Sequence, residues 1–298
     1  MQIVPFFVVF TDLDGTLLDH ETYAWDAAVP ALEACRAKGT PVVLVSSKTR
    51  AEMDILRRRL SLETPFVSEN GGGIFFPRET FVEPPFGSVS AGDPASVLQS
   101  VEDSHVPTDR GLWELSLGVP YPRLIKALGE IRNELGWDIR GFSDMEIDEI
   151  SRLTGLALKE ARLAAMREYD EPFILRGDPP ADITPLFGAA QEQGLLITKG
   201  GRFFHLQGKN DKAKALDVIA AYYQKHHHHV RAVALGDSPN DFSMLERADI
   251  PVLIRSRRTF PDLKRRIPRL RISDQMGPAG WNTAVLGILS QNGENIHE

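Results

Sequence analysis

Apolar positions in this chain fall into short unbroken runs near its two ends and into spaced patterns between them. Val8-Val9-Phe10, Val42-Val43-Leu44-Val45 and Val230 to Leu235 have the continuous, β-branched character of strands buried on both faces. Alanine and leucine spacing from Val29 to Lys38 predicts a helix stopped by Gly39, and Arg50 to Leu60 predicts a helix with a basic face. Pro65-Phe66-Val67-Ser68 reads as a further strand, with Ile74-Phe75-Phe76 returning as its hairpin partner. Strands alternating with helices imply a parallel sheet. Past Pro84-Pro85-Phe86-Gly87, read as a hinge, the pattern changes. Helices at Tyr121 to Leu135 and Ala157 to Arg167, with strands around Glu171 to Arg176, Leu195 to Thr198 and Arg202 to Leu206, suggest a separate α+β layer. From Gly208 the first pattern resumes with helix Lys212 to Gln224, strand Val230 to Leu235, helix Asn240 to Arg247 and strand Pro251 to Ile254. The reading is therefore an α/β core, residues 1–86 and 208–298, around an inserted α+β domain, residues 87–207.

Two of these strands end in acids. The first discharges into Asp12-Leu13-Asp14-Gly15-Thr16, the later one into Gly236-Asp237-Ser238-Pro239-Asn240-Asp241. Carboxylates gathered at a strand end repel one another and lose hydration unless a cation neutralises them. Magnesium suits such a site, because it takes hard oxygen ligands and keeps water and phosphate in its shell. Each cluster alone also fits a plain loop, with Gly15 supplying positive φ and Ser238-Pro239 opening a helix. Two in one chain favour chemistry. The glycines of Glu69-Asn70-Gly71-Gly72-Gly73 fit a close approach of backbone to ligand or an ordinary tight turn equally well.

Composition narrows the field. The chain has 298 residues, 42% hydrophobic, with a single cysteine, Cys35, so no internal disulfide forms. Its net charge of −7 argues against nucleic acid or an anionic membrane as partner. The opening Ile3 to Phe10 run is too short to span a membrane, and a cytoplasmic enzyme is expected. His226 to His229 point in different directions and predict a solvated loop rather than a metal site. Arg255-Ser256-Arg257-Arg258 and Lys264-Arg265-Arg266 predict a solvated helix face.

Asp12-Leu13-Asp14-Gly15-Thr16-Leu17-Leu18 and Gly236-Asp237-Ser238-Pro239-Asn240-Asp241 resemble the first and fourth motifs of the haloacid dehalogenase superfamily of phosphatases. Val42-Val43-Leu44-Val45-Ser46-Ser47 resembles the second motif, and Lys212 in Lys209-Asn210-Asp211-Lys212-Ala213 the third. A narrower set resembles the mannosyl-3-phosphoglycerate phosphatase family: Ser46-Ser47-Lys48-Thr49-Arg50, Glu69-Asn70-Gly71-Gly72, Arg167-Glu168-Tyr169-Asp170-Glu171-Pro172-Phe173, Gly200-Gly201-Arg202-Phe203-Phe204-His205 and Gly277-Pro278-Ala279-Gly280-Trp281-Asn282. Ser46-Ser47-Lys48 replaces the Thr-Gly-Arg usual in general sugar phosphatases, which favours the narrower family.

The resemblance implies a Rossmann-like core of the haloacid dehalogenase type with an inserted cap, Mg2+ as cofactor, and a small anionic sugar phosphate as substrate. It implies Asp12 as nucleophile, Asp14 as general acid and base, and Asp12, Asp14, Asp237 and Asp241 around the metal. Ser46 or Ser47 is expected to contact the phosphoryl group, and Lys212, ahead of Lys209 and Lys214, to neutralise it. Substrate contacts are expected from Lys48, Glu69, Asn70, Gly71 and Asn240 on the core and from Arg167, Lys199, Arg202 and His205 on the cap. Glucosyl-3-phosphoglycerate, sucrose phosphate and hexose phosphates stay open as substrates. A phosphotransfer mutase and a non-catalytic binding protein on the same scaffold are the rival classes.

Overall fold

The computed structural model describes residues 5–83, 85, 105–108, 111–177, 180–200 and 202–294. Its strands are β1 (Phe6–Thr11), β2 (Val42–Val45), β3 (Phe66–Ser68), β4 (Gly73–Pro77), β5 (His105–Thr108), β6 (Leu112–Ser116), β7 (Ile139–Gly141), β8 (Asp170–Leu175), β9 (Leu196–Gly200), β10 (Phe203–Gln207), β11 (Val230–Gly236), β12 (Ile250–Arg255) and β13 (Arg271–Met276). The helices are α1 (Val29–Ala37), α2 (Arg50–Arg59), α3 (Tyr121–Leu135), α4 (Ile147–Thr154), α5 (Leu158–Ala164), α6 (Thr184–Glu192), α7 (Lys212–His226), α8 (Phe242–Arg247), α9 (Leu263–Arg266) and α10 (Gly277–Glu294).

The larger sheet has the order β13-β12-β11-β1-β2-β3-β4-β6-β5. From β13 to β3 every pairing is parallel, and β4, β6 and β5 add antiparallel to that edge. Alternation along β1 explains its central place: Phe7 and Val9 pack with Leu32, Met53 and Trp281 on one face, Val8 and Phe10 with Leu216, Ile219 and Met244 on the other. A strand buried on both sides reads as a continuous apolar run. Neighbours β11 and β2 lie on opposite sides of β1, so the loops after these strands diverge and leave a crevice at their carboxyl ends. Both acidic clusters border that crevice.

The smaller sheet, β7-β8-β10-β9, is antiparallel. Leu124, Leu128 and Ile131 of α3 with Leu186 and Ala190 of α6 bury one of its faces, while Ile150 of α4 and Ala161 of α5 pack with Phe142 and Phe203.

Several expectations change. The insertion expected from residue 87 contributes two strands to the larger sheet, where β6 pairs with β4 from Gly73↔Ser116 to Pro77↔Leu112. The second sheet begins only beyond Ser116. Apart from Pro85, the expected hinge at residues 84–87 lies outside the described residues. Helix α5 ends at Ala164, short of Arg167, because residues 166–169 leave the helix to reach the core. Arg255 to Arg258 form a strand end and loop, not a helix face. His226 and His227 end α7, and His227 stacks on Phe6 at 3.6 Å between ring centres. Among the described residues no helix is long and apolar enough to cross a membrane.

Candidate active site

Asp12 follows β1 directly, held by its amide donating to the Leu235 carbonyl at 2.9 Å. Trp281 on α10, fully buried, donates its indole N–H to Thr11 Oγ1 at 2.9 Å, and Thr11 donates to the Asp12 carbonyl at 2.7 Å. The strand end is thus tied from behind the sheet. Asp12 is 6% exposed, and Lys212, at 1%, reaches it from the first turn of α7. Lys212 Nζ lies 2.6 Å from Asp12 Oδ1 and 2.6 Å from Asp241 Oδ1. Asp211 places this lysine by capping α7, its side chain accepting from the Ala213 amide at 2.6 Å. Lys214 donates instead to the Lys209 carbonyl, so of the three lysines the structure brings Lys212 to the cluster.

Asp241 is wholly buried and is clamped on its other oxygen by the amides of Asp237 and Ser238, both at 3.1 Å. Asp12, Asp237 and Asp241 each offer an oxygen within 4.8 Å of the others. Burial first, then Asp241, pushes the Asp12 carboxyl well above the usual carboxylate range against the pull of Lys212. The same two causes raise Asp237 to about 6. Burial lowers the Lys212 ammonium, but Asp12 and Asp241 outweigh it and hold the proton more tightly than usual. Three carboxylates face one ammonium here, and Asp14 leaves Oδ1 buried with no partner among the described residues. This donor set of hard oxygens with surplus negative charge fits a divalent cation.

Asp14 sits in a turn that closes through Gly15 N–H to the Leu18 carbonyl at 2.9 Å. Gly15 has φ +81°, and a Cβ there would stand 2.9 Å from Asp237 Oδ2. Lys48 pairs with Asp14 Oδ2 at 2.9 Å. Ser46, at the end of β2, is 1% exposed, and its hydroxyl accepts from the Lys48 amide at 3.3 Å, while among the described residues its hydrogen has no acceptor. Ser47 instead lines a cavity of about 160 Å³ between the two sheets. Asp14 and Lys48 form its floor with Ser47, while Arg167 and His205 descend from the cap.

The remaining substrate-contact expectations divide. Lys199 is exposed with its ammonium 5.2 Å from the Phe204 ring centre, and Arg202 is exposed and donates to the Leu153 carbonyl; neither lines this cavity. They belong to a hairpin whose register turns His205, with Phe203, toward the cavity. Glu69 is 0% exposed, and its carboxylate accepts from the Glu168 amide at 3.0 Å and the Tyr169 amide at 2.8 Å. It fastens the cap segment rather than facing a ligand. Gly71, at φ +98°, is required by protein: a Cβ would fall 2.3 Å from the Asp211 carbonyl oxygen. Asn70 accepts from exposed Asn240 at 3.4 Å, and neither lines the cavity.

Sequence reasoning missed the groups that join core to cap. Thr49 donates to the Leu163 carbonyl at 2.9 Å, and Arg50 pairs with Glu168 at 2.7 Å. It also missed a groove of about 680 Å³ on the other side of Asp14 and Asp237, bordered by His20, Arg255, Arg257 and Arg258. The basic Arg255–Arg258 run was visible as charge, but its position beside the acids follows from β12 lying next to β11.

The parallel sheet, its switch point and the strand-end acids with a buried lysine define a class. The model of the haloacid dehalogenase-like hydrolases matches residues 9–87 and 195–257, and with the full-length relatives that follow, the chain belongs to that family. It is 38% identical to a glucosyl-3-phosphoglycerate/mannosyl-3-phosphoglycerate phosphatase of Methanococcoides burtonii over 96% of this chain and 98% of that one. A mannosyl-3-phosphoglycerate phosphatase of Pyrococcus furiosus is 35% identical over 83% of this chain and 90% of its own. Both levels of the resemblance read from the motifs are borne out. Among solved structures, a haloalkanoate-superfamily phosphatase from Bacteroides thetaiotaomicron shares the fold at TM-score 0.58 and 16% identity, covering 98% of this chain and 97% of that one. A subclass IIB sugar phosphatase does so at 0.57 and 16%, covering 94% and 98%.

Proposed function

We propose that this chain is a magnesium-dependent phosphatase of glycosyl-3-phosphoglycerates, releasing inorganic phosphate from mannosyl-3-phosphoglycerate or its glucosyl counterpart. The observation that carries the reading is the Asp12–Lys212–Asp241 cluster at the end of the central strand, with Asp14 one turn away and paired to Lys48. The substrate class comes from the names of the full-length relatives and is supported by a cap that brings an arginine and a histidine over Asp14.

Asp12, with one oxygen held by Lys212, attacks phosphorus with the other, and the bond from phosphorus to the glycerate oxygen breaks. Asp14 gives that oxygen its proton. Water then attacks the phosphorus of the aspartyl phosphate while Asp14 takes a proton from that water, the bond from phosphorus to the Asp12 oxygen breaks, and inorganic phosphate leaves Asp12 free. Splitting the displacement lets one carboxylate act twice. Lys212 and the Ser46 hydroxyl, as donors, stabilise charge on the phosphoryl oxygens. Asp12, Asp237 and Asp241, with the backbone of Asp14, would hold the magnesium ion, which when bound supplies the positive charge that lets two anions meet.

The test is phosphate release from mannosyl-3-phosphoglycerate beside glucosyl-3-phosphoglycerate, 3-phosphoglycerate and hexose phosphates, with magnesium and with chelator. A metal-dependent preference for the two glycosyl esters supports the reading. Activity spread evenly over all four would remove the substrate assignment, and release unaffected by chelator would remove the metal.

A further inference from the structure

The roof of the core–cap cavity is organised by a residue that does not line it. Asp170 opens β8 opposite Gln207 of β10 and is 1% exposed. A carboxylate buried in a sheet is costly unless donors or cations match it. Its Oδ2 has two: His205 Nδ1 at 2.8 Å and Arg167 Nη1 at 3.3 Å. Its Oδ1 is buried without a partner among the described residues. A buried acceptor left unpaired calls for an explanation in function or strain, and here the residue's visible work is to hold two side chains of the cavity.

Each of those side chains is left with one defined capacity. Arg167 spends Nε on the Ala164 carbonyl at 2.8 Å and Nη1 on the Ser47 carbonyl at 3.0 Å as well as on Asp170. Nη2 makes no hydrogen bond among the described residues, so the fork keeps an edge donor for a carboxylate. His205 faces Asp170 with Nδ1, and an acceptor there favours the tautomer protonated on Nδ1, leaving Nε2 as an acceptor for a hydroxyl. Arg167 also donates to the Ser47 carbonyl, so one member of the pair spans cap and core.

We propose that Asp170 is a positioning residue that presets Arg167 as a carboxylate donor and His205 as a hydroxyl acceptor, so that the cavity selects a leaving group carrying both. The inference rests on the substrate class proposed above and adds to it the residue that enforces the choice. The phosphoglycerate moiety, shared by the glucosyl and mannosyl esters, supplies the carboxylate. A cavity of about 160 Å³ is well below the ~300 Å³ at which ligand pockets usually begin, so it suits the acid end of the substrate and not the whole.

The experiment uses the full chain and two substrates, mannosyl-3-phosphoglycerate and an aryl phosphate without carboxylate or sugar. Asp170→Asn keeps the side chain's shape and should reduce the preference for the first substrate at least tenfold, chiefly through KM. His205→Gln, which leaves Asp170 in place, should reduce it in the same direction. The double variant should be no worse than the more damaged single one, since the two act as a unit. A preference that survives Asp170→Asn overturns this assignment alone. Equal losses on both substrates, or fully additive losses in the double variant, reduce Asp170 to scaffolding. A parent enzyme without any preference overturns the substrate reading and this inference with it.

Discussion

Asp12, Asp237 and Asp241 present three carboxylates to one ammonium, and exchanging any of them for its amide alters chemistry and charge together. Asp12→Asn should lower turnover by roughly a thousandfold or more, because an amide cannot carry the phosphoryl group. Asp14→Asn should cost about 10²–10⁴-fold, the usual contribution of a general acid, while still allowing Asp12 to be phosphorylated by a substrate with a good leaving group. Rapid acid quench with labelled substrate separates them: label on the protein is expected with Asp14→Asn and none with Asp12→Asn. The cap residues invite a second comparison. Arg167→Ala should raise KM for a phosphoglycerate ester at least tenfold, since Arg167 lines the cavity, whereas Arg202→Ala should leave it within about twofold, as expected of an exposed arginine away from the ligand. Steady-state kinetics on both variants decides; equal effects would mean that the hairpin reaches the substrate beyond the residues that line the cavity.

Among the elements, the turn after β1 shows how backbone geometry protects the acid cluster. Gly15 holds φ +81° while its neighbour Asp237 occupies the space where a Cβ would stand. Gly15→Ala therefore meets two penalties, a left-handed backbone costing about 1–2 kcal/mol and a displaced Asp237. The expected outcome is a modest fall in melting temperature with a much larger rise in the magnesium concentration needed for half-maximal activity. A variant whose metal requirement is unchanged would show that Asp237 gives way without consequence. The same economy appears behind the sheet, where Trp281 on the last helix fixes Thr11 and through it Asp12.

Across the whole molecule, the seam between the two sheets is crossed by polar contacts, Thr49 to Leu163, Arg50 to Glu168, Arg167 to Ser47, and Glu69 to the amides of Glu168 and Tyr169, while the Tyr169 side chain packs into the apolar cluster of the core. Contacts of this kind can part and reform, which allows cap and core to separate for substrate entry and product release. Glu69 makes the seam pH-dependent. Burial, with Asp170 nearby and against the pull of Arg167, raises its carboxyl from the ordinary 4.5 to about 8. The folded protein thus binds this proton more tightly than the unfolded chain, and between about pH 4.5 and 8 this group's contribution to stability falls as pH rises. Melting curves from pH 5 to 9 should show the parent losing stability relative to Glu69→Gln, which has no proton to lose; parallel curves would refute the assignment.

Much of this was legible in the residues. Short β-branched runs ending in Asp12-Leu13-Asp14 and Asp237 identify buried strands with chemistry at their tips, because strand period and strand end are local properties. Lys212 stood out by its motif, and its helix start at Asp211 is a local capping signal. The strands at 105–116 were read into the insertion because their pairing with β4 is a long-range choice that no local pattern announces. The cap residues failed for the same reason. Arg167, Lys199, Arg202 and His205 are alike as sequence, yet the register of β10 against β8 and β9 and the early end of α5 bring Arg167 and His205 to the cavity and leave Lys199 and Arg202 on the surface. Glu69 looked like a ligand and is a fastener, since only the folded chain places two backbone amides against it. The sequence by itself determined the acids and the lysine that gather at strand and helix ends; the tertiary structure alone decided which cap side chains line the cavity beside them, because that depends on pairings between residues far apart in the chain.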